Sequence, residues 1–268
     1  MLSNRSIIDF HTHIFPHKLA ERAVASIGGY YSLPMECDGT SERLLKSTEL
    51  LPNLRFVISS ATLKPQNLLH GNDYLLEEAA LHKEFIPFSS FHPLLTEKEI
   101  CAELDRVKAL GSMGIKLHPD FQHFNIDEPS LIPAYKYCAE LGLPILFHVG
   151  DENTDFSTPA RLYNLLDKVP GLKIAAAHLC GYQAWDAAEA ILIGTPVYTD
   201  ISDAITYLPV ERFVSMVRKH GVERVMFGSD FPLRSSESVY EQFETLPFTE
   251  DEKEWISHRS AEAFLGIL

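Results

Sequence analysis

Two histidines one residue apart, His11 and His13, stand at the end of the apolar run SIIDFHTHIFP. Neutral imidazoles bind zinc and related divalent ions, and a nearby carboxylate such as Asp9 suits the same ions or orients a ligating ring. The pair needs support, because twelve histidines in 268 residues give a His-x-His by chance about 0.5 times. The alternative is two structural, hydrogen-bonded histidines. Support comes from elsewhere in the chain. His92, His118, His148 and His178 each close a short apolar run (SSFHP, IKLHP, LFHVG, AAAHL), and Asp230 closes another, FGSD.

Those runs have the composition of strands. Residues 6–11, 55–61, 85–90, 113–117, 143–148, 172–177, 196–201 and 223–229 are rich in β-branched and apolar side chains and are bounded by Pro or Gly, as buried parallel strands are. Between them, 73–84, 97–110 and 209–220 carry apolar residues at three- and four-residue spacing, which predicts helices. Asn72 or Asp73 is expected to cap the first, and Thr96 with Glu99 has capping-box spacing. Eight strand–helix units with no Pro/Gly/Ser-rich linker predict one domain over 1–268, a (β/α)8 TIM barrel. An open doubly wound sheet would need a glycine-rich turn after its first strand, and HTHIFP has none. Residues 28–40 break the alternation as a long excursion. Residues 249–267 are expected to add a C-terminal helix closing one end.

Such a barrel does its chemistry where its strands end. Two-residue windows at eight strand ends cover about 16 positions, so twelve random histidines would place roughly 0.7 there. At least five are present. Side chains at i and i+2 share a face, so His11 and His13 are expected to point into the mouth with Asp9 beneath them. Lys116, two before His118, is expected inward as well, since the opposite phase would bury a lysine between strand and helix.

In this order, DFHTHIFP, GIKLHPDFQHF, LPILFHVG, KIAAAHLCG and RVMFGSDFPL resemble the amidohydrolase superfamily along the whole chain. The likeness is to its amidohydrolase-related branch, which includes aminocarboxymuconate-semialdehyde decarboxylase-like and resorcylate decarboxylase-like enzymes. The resemblance implies the barrel and a divalent metal, usually zinc, one per chain with two as the alternative. His11, His13, His148 and Asp230 would be its ligands, with His178 beside the metal-bound water or at a second metal. Zinc lowers the pKa of bound water to about 7, so Asp230 would act as catalytic base and His178 would stabilise an oxyanion or relay a proton. Relatives with two metals bridge them by a carboxylated lysine on strand four. Lys116 lies one step deeper, so Lys116 or His118 is expected to hold a substrate carboxylate or phosphate. The tail ISHRSAEAFLGIL resembles the family's final helix, with Ser260 where Asn is usual.

Composition removes other classes. A formal charge of −14 with no basic cluster excludes a phosphate-neutralising nucleic-acid surface. No apolar run reaches the ~20 residues of a membrane helix, and the start has no signal-peptide pattern. Four scattered cysteines without a CxxC read as reduced thiols of a cytoplasmic protein. The expected partner is a small-molecule substrate, with no nucleic acid or membrane and a homodimer as an open option. The leading expectation is a hydrolase of an amide, lactone or ester of a small carboxylic acid. The alternative is a non-oxidative decarboxylase of a small unsaturated or aromatic carboxylic acid. Decarboxylation wants a cationic clamp; Lys116 and Arg234 are the candidates, and Asp151, Glu152 and Asp155 of GDENTDF oppose them, which favours hydrolysis. A PHP-type phosphoesterase also begins D-x-HTH, but 14–60 offers only His17 and scattered acids as further ligands. A non-catalytic barrel would be expected to lack the strand-eight acid.

Overall fold

The computed structural model describes residues 2–267. Eight strands pair in parallel and in sequence order: β1 (Ile7–His13), β2 (Leu54–Ser59), β3 (Phe85–Ser89), β4 (Gly114–Leu117), β5 (Ile145–Phe147), β6 (Ile174–Ala176), β7 (Tyr198–Asp200) and β8 (Val225–Met226). Backbone bonds close the seam between the first and last. Phe10 N donates to Phe227 O at 2.8 Å, Asp230 N to His11 O at 2.9 Å and His13 N to Phe231 O at 2.7 Å. The expected (β/α)8 barrel is therefore present. Its strands sit where composition put them, and most are shorter by one to three residues at their ends.

The two faces of each strand explain the architecture. On β4 to β6, Ile115, Leu117, Ile145, Phe147 and Ile174 face outward and pack on helical residues such as Leu104, Val107, Tyr135 and Leu162. Inside the barrel, Phe10, Val57, Phe88, Leu146, Ala175 and Met226 form a packed layer. Phe10 meets Phe88 and Phe264 edge-on, with ring centroids 5.6 and 5.3 Å apart. Gly114 is required there, because a Cβ would lie 2.4 Å from the Phe88 ring. The C-terminal extension is the expected helix, running without a break through Glu250–Glu254, a π-helical stretch Trp255–Arg259 and Ser260–Leu265. It drives Ala261 and Phe264 into the barrel bottom. Ser260 Oγ donates to Val222 O at 3.0 Å, so the serine is satisfied. The open end is the other one, where the strands terminate.

Several local expectations change. The helix after β2 begins at Leu68 rather than 73, so Asn72 is no cap. It is buried, and its amide donates to Ser90 O and Glu103 Oε1 while accepting from Ser90 N. The capping box at Thr96 and Glu99 does form. The first helix runs His17–Tyr31 and absorbs the GGYY of the expected excursion.

Asp9 departs most from expectation. Between Asp9 and Thr12, β1 advances three residues while β2 advances two, Phe56 to Ile58. One extra residue on one strand is a β-bulge, and it reverses the side-chain phase. Phe10 and His11 therefore both face the interior, and Asp9 faces away from it. Its carboxylate accepts from Ser229 N at 3.0 Å and Ser236 Oγ at 2.6 Å. Burial lifts its pKa to about 7 against these bonds. Asp9 thus fastens β1 to the chain after β8 and does not lie beneath the histidines.

His220 carries a stability prediction. It is buried at the end of the helix Val210–His220, with its Nε2–H donating to Val197 O at 2.8 Å and its Nδ1 accepting from Gly194 N at 3.2 Å. Burial holds its pKa down at about 4. The unfolded chain takes up this proton first, so stability is complete above about 6.5 and falls as pH drops toward 4. Between pH 7 and pH 5 the loss from this group is about 2 kcal/mol. Urea unfolding of wild type and His220→Gln at both pH values should show a smaller pH-dependent loss in the variant. Equal losses would remove His220 as the cause.

Candidate metal centre

Three acceptor atoms converge at the mouth. His11 Nε2 lies 3.1 Å from His13 Nε2, and Asp230 Oδ1 lies 3.3 and 3.2 Å from the two nitrogens. The hydrogen-bond network fixes both tautomers. His11 Nδ1 faces Asp200 Oδ2 at 3.1 Å, so it carries the proton. His13 Nδ1 faces Ser59 Oγ at 3.1 Å, and the serine's own hydrogen goes to Thr12 O, so this Nδ1 also donates. Both Nε2 lone pairs then point at each other and at a carboxylate oxygen. The Lys116 ammonium, 2.8 Å from His11 Nε2, meets one of these lone pairs, and two imidazoles with a carboxylate are a donor set for a divalent ion. Burial pushes the Asp230 carboxyl up, but the facing His11 and His13 imidazoles outweigh it and hold it low, at about 2. Asp230 has φ 56°, a left-handed conformation that Asp tolerates, and that turn brings its oxygen to the trio.

Lys116 points inward, as its phase on β4 requires. It is fully buried, and its Nζ lies 2.8 Å from His11 Nε2. Burial lowers its pKa to about 8, against the pull of Asp230 and Asp200. The ammonium therefore reaches the trio despite its deep position.

His178 arrives by an unusual route. After β6 the chain makes a left-handed turn in which His178, Leu179 and Cys180 have φ of 60°, 51° and 67°. Each such non-glycine residue costs about 1–2 kcal/mol. The turn aims His178 Nδ1 at Asp203 Oδ2 (3.1 Å) and Ser202 Oγ (2.9 Å), and His178 Nε2 at His148 Nδ1 (3.0 Å). Burial disfavours a charged His178, but the hydrogen bond and charge of Asp203 raise its pKa above the ordinary value. His148 stands one ring away from the trio, its Nε2–H donating to Gly150 O at 2.7 Å. It continues into a parallel stack, with His118 at 3.9 Å and Phe121 a further 4.0 Å beyond. Tyr31 covers this edge, its hydroxyl 3.3 Å from His118 Nε2.

The structure brings His11, His13 and Asp230 together, sets Lys116 and His178 against them, and leaves His148 and His118 in the neighbouring stack. Asp200, Ser59, Ser202, Asp203 and Tyr31 belong to the site and were not anticipated. Asp200 had a signal: it ends β7 as the histidines end other strands. His92 is a structural rim residue, bonded to Leu63 O and Leu94 N at 3.2 Å each. Arg234 is held on the rim by Thr206 Oγ1 (2.6 Å) and Gln242 Oε1 (3.1 Å). Asp151 accepts from the Tyr30 hydroxyl and Asp155 pairs with Arg161, both at 3.3 Å, so these two charges of GDENTDF are engaged at the rim.

The sequence model of the family described as Amidohydrolase matches residues 8–267. The chain is 24% identical over 97% of its length, and 91% of the relative's, to a 2-amino-3-carboxymuconate-6-semialdehyde decarboxylase of Dictyostelium discoideum. It is 23% identical to a gamma-resorcylate decarboxylase of a Polaromonas species, over 76% of this chain and 78% of that one. Its fold matches the 5-carboxyvanillate decarboxylase of Novosphingobium aromaticivorans, solved with manganese and 4-hydroxy-3-methoxy-5-nitrobenzoic acid. That match has a TM-score of 0.78 at 16% identity, over 99% of each chain.

Proposed function

The chain belongs to the amidohydrolase family, and from that premise we propose that it is a metal-dependent decarboxylase of a small aromatic or unsaturated carboxylic acid, acting as one domain. This is the alternative of the sequence reading, and it now has better support than hydrolysis. The observation that carries it is Lys116, a buried ammonium whose Nζ lies 2.8 Å from His11 Nε2. The electrostatic case for hydrolysis rested on the opposing acids Asp151, Glu152 and Asp155; of these Asp155 is paired with Arg161, and Asp151 is turned to the Tyr30 hydroxyl at the rim. The named relatives reported above act on carboxylic acids by removing carbon dioxide, which agrees with this choice.

His11, His13 and Asp230 would hold the ion, with His148 as the expected fourth ligand and zinc or manganese as its identity. A divalent ion in such a site supplies Lewis-acid polarisation of a substrate oxygen. Lys116 would bind the substrate carboxylate by charge. The bond from carbon to the carboxyl group breaks, its electron pair stays on carbon, and carbon takes up one proton as carbon dioxide leaves. His178 suits the donor, because Asp203 favours its protonated form. Asp230 does not suit that task, because its carboxyl stays ionised far below neutrality. It would serve as a ligand; the base role expected of it for hydrolysis has no proton to accept in this reaction. His118 lines the substrate side of the same space.

Incubating the zinc- or manganese-loaded protein with aromatic and unsaturated carboxylic acids should release carbon dioxide. Turnover on lactones or amides with none on these acids would overturn the reading and restore hydrolysis.

A further inference from the structure

Two strained turns, from different loops, meet at one contact beside the metal centre. The first is the left-handed turn after β6 that presents His178. The second follows β7, where Asp203 has φ 57° and ψ −52° and the Ala204 N–H donates back to Ser202 O at 2.5 Å. That is a γ-turn of the rare non-inverse kind, in a region that L-residues other than glycine seldom enter. Asp203 is 5% exposed and His178 is 1% exposed, so neither position is explained by solvation. Strain of this kind persists where the surroundings over-determine it and the site uses the result. The result here is Asp203 Oδ2 at 3.1 Å from His178 Nδ1.

We propose that Asp203 is a positioning residue, held in a strained γ-turn so that its carboxylate fixes a proton on His178 Nδ1 and holds the ring with Nε2 toward His148 and the metal centre. The inference rests on the decarboxylase reading for what His178 does next, but the fixed Nδ1 proton does not depend on it. Ser202 Oγ, 2.9 Å from the same nitrogen, cannot replace the carboxylate. Its hydroxyl also bonds Asp200 Oδ1 and comes within 3.2 Å of His11 Nδ1, so it is shared among three partners. A carboxylate on Nδ1 orients an imidazole and sets its tautomer, as it does behind many ligating and catalytic histidines.

The test uses zinc-loaded full-length protein, its histidines labelled with nitrogen-15, and the variants Asp203→Asn and Asp203→Gly. In wild type the His178 Nδ1–H should appear as a strongly downfield imidazole proton, assigned by its disappearance in His178→Gln. Both Asp203 variants should lose or shift it while keeping the wild-type zinc content. On any carboxylic acid that turns over, kcat should fall at least tenfold with KM within about twofold. Asp203→Gly should also unfold at a higher temperature than Asp203→Ala, because glycine enters positive φ without strain. A His178 resonance unchanged in Asp203→Asn, or zinc lost together with the aspartate, would overturn the proposal; the second outcome would make Asp203 a ligand. Failure of decarboxylation with the resonance behaving as described would overturn only the reaction, not the positioning.

Discussion

Asp230→Asn should leave the barrel folded and lower turnover by about 10²-fold or more, because the ion whose charge stabilisation is worth several kcal/mol loses an anionic ligand. The fold survives because position 230 is left-handed at φ 56°, a conformation Asn enters at least as readily as Asp. The backbone bond from residue 230 N to His11 O, which helps close the seam, is unchanged by the substitution. What is lost is the anionic oxygen facing His11 Nε2 and His13 Nε2 at 3.3 and 3.2 Å. An amide offers a weaker ligand and can turn its NH2 toward the same nitrogens. Activity and far-ultraviolet circular dichroism measured on one preparation decide the matter. A variant as active as wild type would reduce Asp230 to a turn residue.

Removal of the metal has the second large expected effect. Protein as purified should carry about one divalent ion per chain, and exhaustive chelation should abolish turnover, with zinc or manganese restoring it. Elemental analysis with no ion in metal-replete protein would end the metal reading. A ratio near two would give the His148–His178 pair, whose facing nitrogens are 3.0 Å apart, an ion of its own. The supporting shell enters the same experiment. Asp200 holds the Nδ1 proton of His11 at 3.1 Å, so Asp200→Asn should weaken metal affinity 10- to 100-fold without removing a donor.

Much of this was legible because its signals are short-ranged. Eight apolar runs bounded by Pro and Gly dictate eight buried strands, and histidines at their ends dictate a site at one rim. The capping box at Thr96 is a local pattern and formed as read. What could not be read depends on long-range register or on backbone strain. Strict alternation puts Asp9, His11 and His13 on one face, and nothing in IIDFHTH announces the bulge that breaks it. Asn72 looks like a helix cap until the partners at Ser90 and Glu103 are known. Asp203 stands beyond its strand end in a turn that its residue type does not favour, so no propensity rule finds it. The reaction type was the least legible point, since charge in sequence favours hydrolysis and Asp151 and Asp155 look free until Tyr30 and Arg161 are placed beside them.

The bulge in β1 has a consequence for how this strand can vary. Below it, Ile8 and Phe10 belong to the packed interior; above it, His11 and His13 belong to the chemistry, and one surplus residue joins the two halves. An exchange of one side chain for another leaves that junction intact. A change of length does not. The residues between Asp9 and Thr12 are Phe10 and His11, and deleting either would restore plain alternation through the strand, leaving one inward position where the packed interior and the metal centre each need one. β1 should therefore accept many substitutions and reject almost every insertion or deletion, and variants recovered from random libraries should differ in its letters but never in its count.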